Sequence, residues 1–341
     1  MGHAFRIREI ARQAGLSEAT VDRVLNTRGG VRPDTTAEIH RAIADLERQR
    51  TQVRLTGRTF LVDLVMQTPE RFSAAVRRAL DAELPLLRPA AIRVRYHLRE
   101  TGTPDDLVTT LARIRRRGSD GVILKGPDVP DVVQAVDDLA DAGVPVLTLV
   151  TDLPGSRRAA YVGIDNQAAG ATAAYLISQW LGDRPGDVLL TLSRGYFHGE
   201  EQRKAGFRAA LGDRSVVEID NSDGLDRTMR GLVERLPAGD LAAVYSVGGG
   251  NAAIVEAFGA HRPVFVAHDL DADNRRLLRE GALSAVLHHD LNQDVRRACH
   301  LLLRIHGALP GPVVSMSSNI QVVTPFNVPL PPDRPHAEAA P

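Results

Sequence analysis

Cysteine and long apolar runs are almost absent from this chain. Cys299 is the single cysteine in 341 residues, and no window holds 18 uninterrupted apolar residues. One cysteine excludes an internal disulfide framework and is consistent with a reducing cytoplasm. The lack of an apolar run predicts no membrane-spanning helix. The first ten residues, MGHAFRIREI, contain no apolar core of a secretion signal, so we expect a cytoplasmic protein and not an exported one.

Signatures of catalysis and of metal binding are missing as well. The sequence has no G-x-x-x-x-G-K-[ST], G-x-S-x-G or H-E-x-x-H, and GGGN at Gly248–Asn251 lacks the spacing of a dinucleotide fingerprint. His288 and His289 are adjacent on a predicted strand and would point to opposite faces, which is a poor arrangement for one metal ion. We predict that the chain is not an enzyme, has no catalytic residue and binds no metal or cofactor. A sugar-modifying enzyme using Asp165 with His289 is the alternative.

A pair of short helices is predicted at the start of the chain, within Ile7–Asn26. Gly15 supplies the backbone freedom to end the first helix, and Ser17 is placed to cap the second. The second helix would bury Val21, Val24 and Leu25 and leave Glu18, Ala19, Thr20, Asp22 and Arg23 free to lie in a major groove. The alternative is a small helical hairpin without a nucleic-acid role.

The charge distribution favours DNA binding. Residues 1–58 contain 11 arginines and 7 acidic residues, a net charge of +4, and the rest of the chain carries −4. A basic N-terminal segment on an acidic body is suited to phosphates, because arginines such as Arg23 and Arg28 release counterions from DNA.

This segment resembles the headpiece of the lactose-repressor (LacI/GalR-type) family of bacterial transcription regulators. The family signature A-x-x-A-G-[VL]-S-x-x-T-V-S-R-V-[LV]-N is matched from Ala11 to Asn26, except that Asp22 replaces the serine before the arginine. The resemblance extends through a third helix, Val31–Leu46, and implies a headpiece spanning residues 1–47. It also implies a set of DNA-binding residues. Glu18 and Ala19 would read bases, Arg23 would contact a base or a phosphate, and Thr20 and Asn26 would contact the backbone, with Ser17 and Arg28 beside them.

Residues 48–59 are predicted to form a hinge or linker. The family usually has G-Y-x-P-N followed by A-x-x-L, whose leucine wedges into the minor groove of bent DNA. Here Glu47–Arg58 reads ERQRTQVRLTGR, and Leu55 is the only candidate for the wedge. A plain flexible linker is the alternative.

The body, residues 60–330, has the pattern of an α/β fold. Short apolar runs such as FLVDLVM, GVILKG and VFVAHD alternate with helical stretches, which is typical of parallel sheets covered on both faces. We predict two doubly wound lobes, one of about residues 60–163 and 292–320 and the other of about 164–291 and 321–330. A flexible tail would follow at 331–341.

Polar residues end many of these runs, where doubly wound sheets bind their ligands. The order also resembles the periplasmic-binding-protein fold of sugar-binding proteins, the ribose- and galactose-type branch that the regulator family uses as its sensor. That resemblance points to Asp165 and Asn166 in YVGIDNQAAG, to Arg203 in EEQRKAGFRAAL and to Asp269 in VFVAHDLDAD. It places His289 where many members have glutamine, and it points to Asn251 in a loop, GGGNAAI, that departs from the family's N-D-x-x-A. It also makes Phe72 the ring expected to stack on a sugar face. Lys125 and Asp128, after a strand, complete the predicted ligand-binding set.

This set favours a hydroxyl-rich ligand, since carboxylates accept from adjacent hydroxyls and Arg203 donates in a planar fork. A monosaccharide or polyol fits best; a purine or phosphorylated sugar is the alternative ligand. We therefore expect a homodimeric regulator, by resemblance a repressor, that binds a near-palindromic double-stranded operator and is controlled by a sugar between its lobes. The alternative is a cytoplasmic sugar-binding or sugar-modifying protein of the same fold without a DNA role.

Overall fold

The structure is a computed structural model that describes residues 5–55, 58–88, 90–236 and 240–329. In it, three helices precede the first strand. They are α1 (Ile7–Ala14), α2 (Glu18–Leu25) and α3 (Pro33–Leu55). Ile10, Val21 and Ile39, one from each helix, are buried together with Ala11 in a small core. Because each helix contributes to the same core, the three helices form the small all-α unit that the sequence predicts.

The turn between α1 and α2 has the predicted geometry. Gly15 lies in the left-handed region with φ of 66°, and its N–H closes the end of α1. The Ser17 hydroxyl accepts a hydrogen bond from the Thr20 backbone N–H at 3.2 Å and so caps α2. A glycine stop and a serine cap therefore fix the angle between the two helices.

The third helix is longer than expected. We expected a helix ending near Leu46 and a linker from residue 48, but α3 continues to Leu55. Between Asp34 and Leu55 the sequence contains neither glycine nor proline, so nothing in it breaks the helix. The side chains of residues 48–55, and with them the predicted DNA wedge of Leu55, lie outside the described residues, as does the predicted tail at 331–341.

The first lobe is a six-stranded sheet with helices on both faces. Its strands are β1 (Thr59–Gln67), β2 (Ala91–Arg99), β3 (Gly121–Lys125), β4 (Val146–Leu149), β5 (Ala160–Ile164) and β11 (Met316–Ser318), and its helices are α4 (Glu70–Glu83), α5 (Pro104–Arg117), α6 (Pro130–Asp141) and α12 (Leu291–Ile305), with a 3-10 turn at Leu84–Leu87. The strand order is β11-β5-β4-β3-β1-β2, and the pairings are parallel. The helices α4 and α12 pack on one face, and α5 and α6 on the other.

The second lobe repeats this architecture. Its strands are β6 (Asp187–Thr191), β7 (Val216–Ile219), β8 (Leu241–Ser246), β9 (Val264–His268), β10 (Ala285–His288) and β12 (Gln321–Val323), and its helices are α7 (Asn166–Leu181), α8 (His198–Leu211), α9 (Asp226–Val233), α10 (Asn251–Phe258) and α11 (Ala272–Arg279). The order is β12-β10-β9-β8-β6-β7, parallel except that the edge strand β12 runs antiparallel to β10. Two doubly wound lobes are thus confirmed as the fold.

The chain crosses between the two sheets three times. The first crossover is at Asp165, between β5 and α7; the second is at His289 and Asp290, between β10 and α12; the third is at residues 319–320, between β11 and β12. Every described connection between the lobes is therefore short, and all three are available to act as hinges.

The helices α7 and α8 approach each other through two glycines. An added Cβ on Gly170 would lie 1.9 Å from the Arg203 carbonyl oxygen, and one on Gly206 would lie 2.0 Å from the Gln167 carbonyl oxygen. Both obstacles are backbone atoms, which cannot rotate away as a side chain can. The contact therefore requires glycine on each helix.

We predict that Gly170→Ala and Gly206→Ala each lower the free energy of unfolding by about 1–3 kcal/mol or more, the usual cost of overpacking a dense interface. Gly231→Ala in α9 is the matched control, because its nearest neighbour is the flexible Arg235 guanidinium at 3.6 Å. Alanine is favoured over glycine in a helix, so the control should be neutral or more stable. Urea denaturation of the three variants measures this, and wild-type stability of both α7–α8 variants would contradict the packing argument.

Candidate functional site

A cleft lies between the two lobes, at the carboxyl ends of their strands. From the first lobe it is lined by Gln67 at the end of β1, by Lys125 at the end of β3, and by Phe72 and Arg71 on α4. From the second lobe it is lined by Glu200 and Arg203 on α8 and by His268 and Asp269 at the end of β9. A ligand here would contact both lobes, as expected for doubly wound sheets.

Arg203 is the best-fixed cation of the cleft. Its side chain is 4% exposed, and its Nε donates to Asn166 Oδ1 at 2.8 Å. Asn166 in turn donates to the Val150 carbonyl oxygen at 3.3 Å and to the Tyr161 hydroxyl at 3.1 Å. Among the described residues Asn166 is the only hydrogen-bond partner of the Arg203 side chain, so the terminal nitrogens of the guanidinium remain available to a ligand.

Asp269 follows β9 in a backbone conformation that is unusual for a residue with a side chain. Its φ is 64°, and its N–H donates to the Leu287 carbonyl oxygen at 2.9 Å. Asn274 holds this turn by donating to the carbonyl oxygens of His268 and Asp269 at 2.9 and 2.7 Å. Burial would raise the pKa of the Asp269 carboxyl, but His289 and the positive charge of Arg203 outweigh burial and lower the pKa well below its usual range. An ionised carboxylate on a strained backbone at the end of a strand is typical of a binding residue.

Lys125 and Glu200 supply a second pair of opposite charges. Burial lowers the pKa of Lys125 to about 8, with Glu200 and Asp269 opposing the shift, and its Nζ lies 4.3 Å from the centroid of the Phe197 ring. Glu200 accepts from the Ser193 hydroxyl and, at 2.7 Å, from the Ser193 backbone N–H. Burial raises the pKa of Glu200, while the bond to Ser193 and the charge of Lys125 act against the rise. Neither residue is an inert surface charge, since both are desolvated.

Two cations and two carboxylates are thus brought together without direct pairing. No ion pair among the described residues joins Lys125 or Arg203 to Glu200 or Asp269. Charges that are held close but unpaired leave donors and acceptors free for a ligand that carries several hydroxyl groups.

The lobes also contact each other across the mouth of the cleft. Arg71 of the first lobe pairs with Asp271 of the second at 2.9 Å, and Arg227 of the second pairs with Glu100 of the first at 3.3 Å. The arrangement is therefore a closed one in which a small ligand would be largely shielded from water.

Four of the eight predicted ligand-binding residues, Phe72, Lys125, Arg203 and Asp269, line the cleft. Phe72 is only 7% exposed and packs mainly into the core of the first lobe. It therefore offers the cleft little ring surface and not the open stacking face that the sequence suggested.

The other four predicted residues do not line the cleft. Asp165 is exposed and caps α7 by accepting from the Ala168 N–H at 2.9 Å, so its neighbour Asn166 is the residue that points inward. Asp128 makes a contact between the lobes: its N–H donates to the Tyr196 carbonyl oxygen at 2.8 Å, and its carboxylate lies 3.4 Å from His198 Nδ1.

Asn251 and His289 lie one layer behind the cleft wall. Asn251 is 6% exposed and donates to Asn274 Oδ1 at 2.8 Å, so it supports the residue that holds the Asp269 turn. His289 is 1% exposed, and its Nε2 lies 3.6 Å from Asp269 Oδ1. Both therefore contact residues at or behind the cleft wall and do not line the cleft in this conformation.

Sequence reasoning missed Glu200, Asn274 and the Arg71–Asp271 pair. Glu200 precedes Arg203 by three residues on α8, and this helical spacing was the available signal that the two share a face. Asn274 and Asp271 follow Asp269 closely, but whether a polar residue after a strand caps a helix or faces a cleft depends on the turn geometry.

The headpiece presents its predicted DNA-reading face to the outside. Glu18, Ala19, Arg23 and Arg28 are exposed, whereas Val21 on the opposite face is 0% exposed. Asp22, the departure from the family signature, accepts from the Asn26 amide at 2.7 Å and pairs with Arg28 at 2.9 Å. It therefore ties together two of the predicted DNA contacts, and the charge of Arg28 balances its own.

Within the described ranges no helix is long and apolar enough to cross a membrane, and no cluster of three side chains could ligate a metal ion.

Comparison with protein families assigns both parts of the chain. Residues 6–48 match the bacterial regulatory proteins of the lacI family, and residues 92–307 match the periplasmic binding protein domain. One is a family of regulatory proteins and the other a family of binding proteins, and neither is enzymatic, which confirms the expectation that the chain is not an enzyme. A search among curated proteins gives no match.

Solved structures resemble the body of the chain. A glucose-galactose binding protein from Geobacillus stearothermophilus is 20% identical, with a TM-score of 0.71 over 80% of this chain and 100% of that one. A putative LacI transcriptional regulator from Bacteroides fragilis is 17% identical, with a TM-score of 0.68 over 79% of this chain and 97% of that one. A solute-binding protein from Burkholderia graminis in complex with D-arabinose is 19% identical, with a TM-score of 0.67 over 80% of this chain and 97% of that one.

At these identities the structural likeness establishes the fold, and the family matches establish what kind of protein carries it. The chain belongs to the periplasmic binding protein family, and its helix-turn-helix headpiece makes it a DNA-binding regulator of the lacI family with a sugar-binding type of sensor domain.

Proposed function

We propose that this regulator is a repressor whose operator affinity is controlled by a neutral monosaccharide or polyol bound between the lobes. The observation that carries the proposal is a set of four charges in the cleft, Lys125 and Arg203 with Glu200 and Asp269, that form no ion pairs with one another. Two cations facing two carboxylates favour a ligand without net charge that donates and accepts at several points, as a polyol does.

The structural relatives support the same class of ligand. One of them is a glucose-galactose binding protein, and another was solved with D-arabinose. A phosphorylated sugar is less well matched, because its charge would face Glu200 and Asp269 at close range, where like charges repel.

Control of DNA binding would follow from the distribution of the four charged residues over the two lobes. Lys125 belongs to the first lobe, and Glu200, Arg203 and Asp269 belong to the second, so a ligand that bonds to all of them favours the closed arrangement. Several kcal/mol are needed to move an operator from mostly occupied to mostly free. Two or three hydrogen bonds to charged groups, at about 1.5–3 kcal/mol each, supply that amount.

The DNA-binding unit would be a homodimer in the cytoplasm. Each headpiece, residues 1–47, would read one half of a near-palindromic operator with α2 in the major groove. The C-terminal part of α3 would join each headpiece to the lobes and so carry the change in lobe geometry to the DNA.

A thermal-shift screen tests the ligand class. The full chain would be heated with pentoses, hexoses, polyols, inositols, sugar phosphates and purines. A ligand at 100 times its Kd adds about 2.7 kcal/mol of stability, which raises the Tm by several degrees in a protein of this size. We expect the shift with a neutral sugar or polyol; a shift with purines or sugar phosphates alone, or none at all, contradicts the proposal.

We predict that Arg203→Ala strongly reduces the shift produced by that ligand and leaves operator binding intact. Loss of the guanidinium removes hydrogen bonds to the ligand, which should weaken binding by about 10–100-fold. Arg203→Lys, which retains the charge without the planar fork, should be intermediate. The control is Arg208→Ala on the same helix, since Arg208 pairs with Glu218 and lies outside the cleft. Wild-type sugar affinity in Arg203→Ala would refute the site.

A separate prediction concerns the headpiece. Arg23→Ala should weaken binding to DNA selected by the full chain from a random duplex pool by about 5–150-fold, the value of one or two contacts to a base or phosphate. Arg41→Ala, an exposed arginine on α3, is the control and should change affinity much less. Fluorescence anisotropy measures the DNA affinity and calorimetry the sugar affinity, which should not change. Equal losses in the two variants would mean that α2 does not read DNA.

A further inference from the structure

A buried polar path leads from the cleft to two of the three crossovers. His289 lies in the second crossover. Its Nδ1 is hydrogen-bonded to Asp294 Oδ2 at 2.5 Å, and its Nε2 lies 3.6 Å from Asp269 Oδ1. Asp294 is in the first turn of α12 and is 0% exposed. The path therefore begins at a residue of the cleft wall and enters the first lobe at α12.

The path continues to the third crossover. Ser318, the last residue of β11, donates its hydroxyl hydrogen to Asp294 Oδ1 and accepts from Arg297 Nη1 at 2.8 Å. A single buried carboxylate, Asp294, thus joins the histidine of one crossover to the strand that leads into the next. Buried networks of this kind respond as a unit when one member changes partner.

His289 is shared unequally between two carboxylates. Its contact with Asp294 is short, whereas its contact with Asp269 at 3.6 Å is longer than a normal hydrogen bond. Burial acts to lower the pKa of His289, but Asp269 and Asp294 outweigh burial and raise it to about 9, so the imidazole is charged at neutral pH. The other charged or titratable groups around it are His268 on β9, His288 on β10, Arg203 on α8 and Arg297 on α12.

We propose that His289 is a positioning residue that couples ligand binding at Asp269 to the second and third crossovers. The inference rests on the proposed function and names the route by which it operates. Hydroxyl groups that donate to Asp269 compete with His289 for the same carboxylate. The imidazolium is then held by Asp294 alone, so a shift of His289 away from Asp269 carries Asp294 with it and repositions α12 and the end of β11 relative to the second lobe.

The decisive quantity is the coupling factor, which is the ratio of operator Kd with saturating ligand to operator Kd without it. In the wild type we expect a factor within the usual allosteric range of about 5–150-fold. In His289→Gln, which retains hydrogen bonding but no charge, the factor should fall to about a third or less of the wild-type value, with ligand and operator each still bound separately.

The adjacent histidine is the matched control. His288 accepts from the Leu270 N–H at 3.3 Å through Nδ1, and burial lowers its pKa to about 4, so it is neutral and outside the path. His288→Gln should retain the wild-type coupling factor. If His289→Gln fails to fold, Ser318→Ala tests the same path at its far end and should also reduce the factor.

Proton release on ligand binding separates coupling from a purely structural role. Competition for Asp269 lowers the raised pKa of His289, so ligand binding at pH 8.5 should release part of a proton. Lys125 also titrates near pH 8, and therefore the readout is the difference in protons released between wild type and His289→Gln, measured by calorimetry in buffers of different ionisation enthalpy.

The outcomes distinguish the two proposals. If the ligand binds the wild type but does not alter operator affinity, the proposed function and this inference both fail. If the wild type is coupled and His289→Gln has the same coupling factor and the same proton release, only the role of His289 is overturned.

Discussion

The close approach of α7 and α8 is the constraint on which the cleft depends. Gly170 and Gly206 let each helix take the space next to the other's backbone, and the obstacle at Gly170 is the carbonyl oxygen of Arg203 itself. Asn166 at the start of α7 can then reach the Arg203 guanidinium, and it also bonds to the first lobe through Val150 and Tyr161. The main cation of the binding site is therefore set by helix packing and anchored at the first crossover.

Two charged residues of the cleft, Arg203 and Asp269, are each joined to a crossover between the lobes. Arg203 reaches the first crossover through Asn166, and Asp269 reaches the second and third through His289 and Asp294. Since these links are buried, they act in a low dielectric, where a change of partner has large energetic consequences. A change in the bonds of either residue therefore reaches a segment that connects the lobes.

Much of the fold, but only part of the site, could be predicted from the sequence. The alternation of strands and helices predicted the two lobes, which the structure confirms, and two of the residues that the motifs indicated, Arg203 and Asp269, line the cleft. Asp165 was misplaced because an acidic residue before a helix is equally suited to capping it, and one residue of backbone decides between the two roles. His289 and Asn251 lie close to the cleft but are buried behind its wall. The periodicity of a sequence does not show whether a polar residue lines a cleft or lies behind the residues that do. The expected end of α3 near Leu46 came from the family resemblance, whereas the absence of glycine and proline up to Leu55 is what lets the helix continue.

Reciprocal titration tests the central claim, that a small ligand in the cleft and DNA on the headpiece are energetically coupled. Operator Kd would be measured with and without the ligand, and ligand Kd with and without the operator, using the full chain at one salt concentration. Linkage requires the two ratios to be equal, and the account predicts that both differ from one by the same factor. A ligand that binds tightly in the cleft while both ratios remain at one would contradict the account.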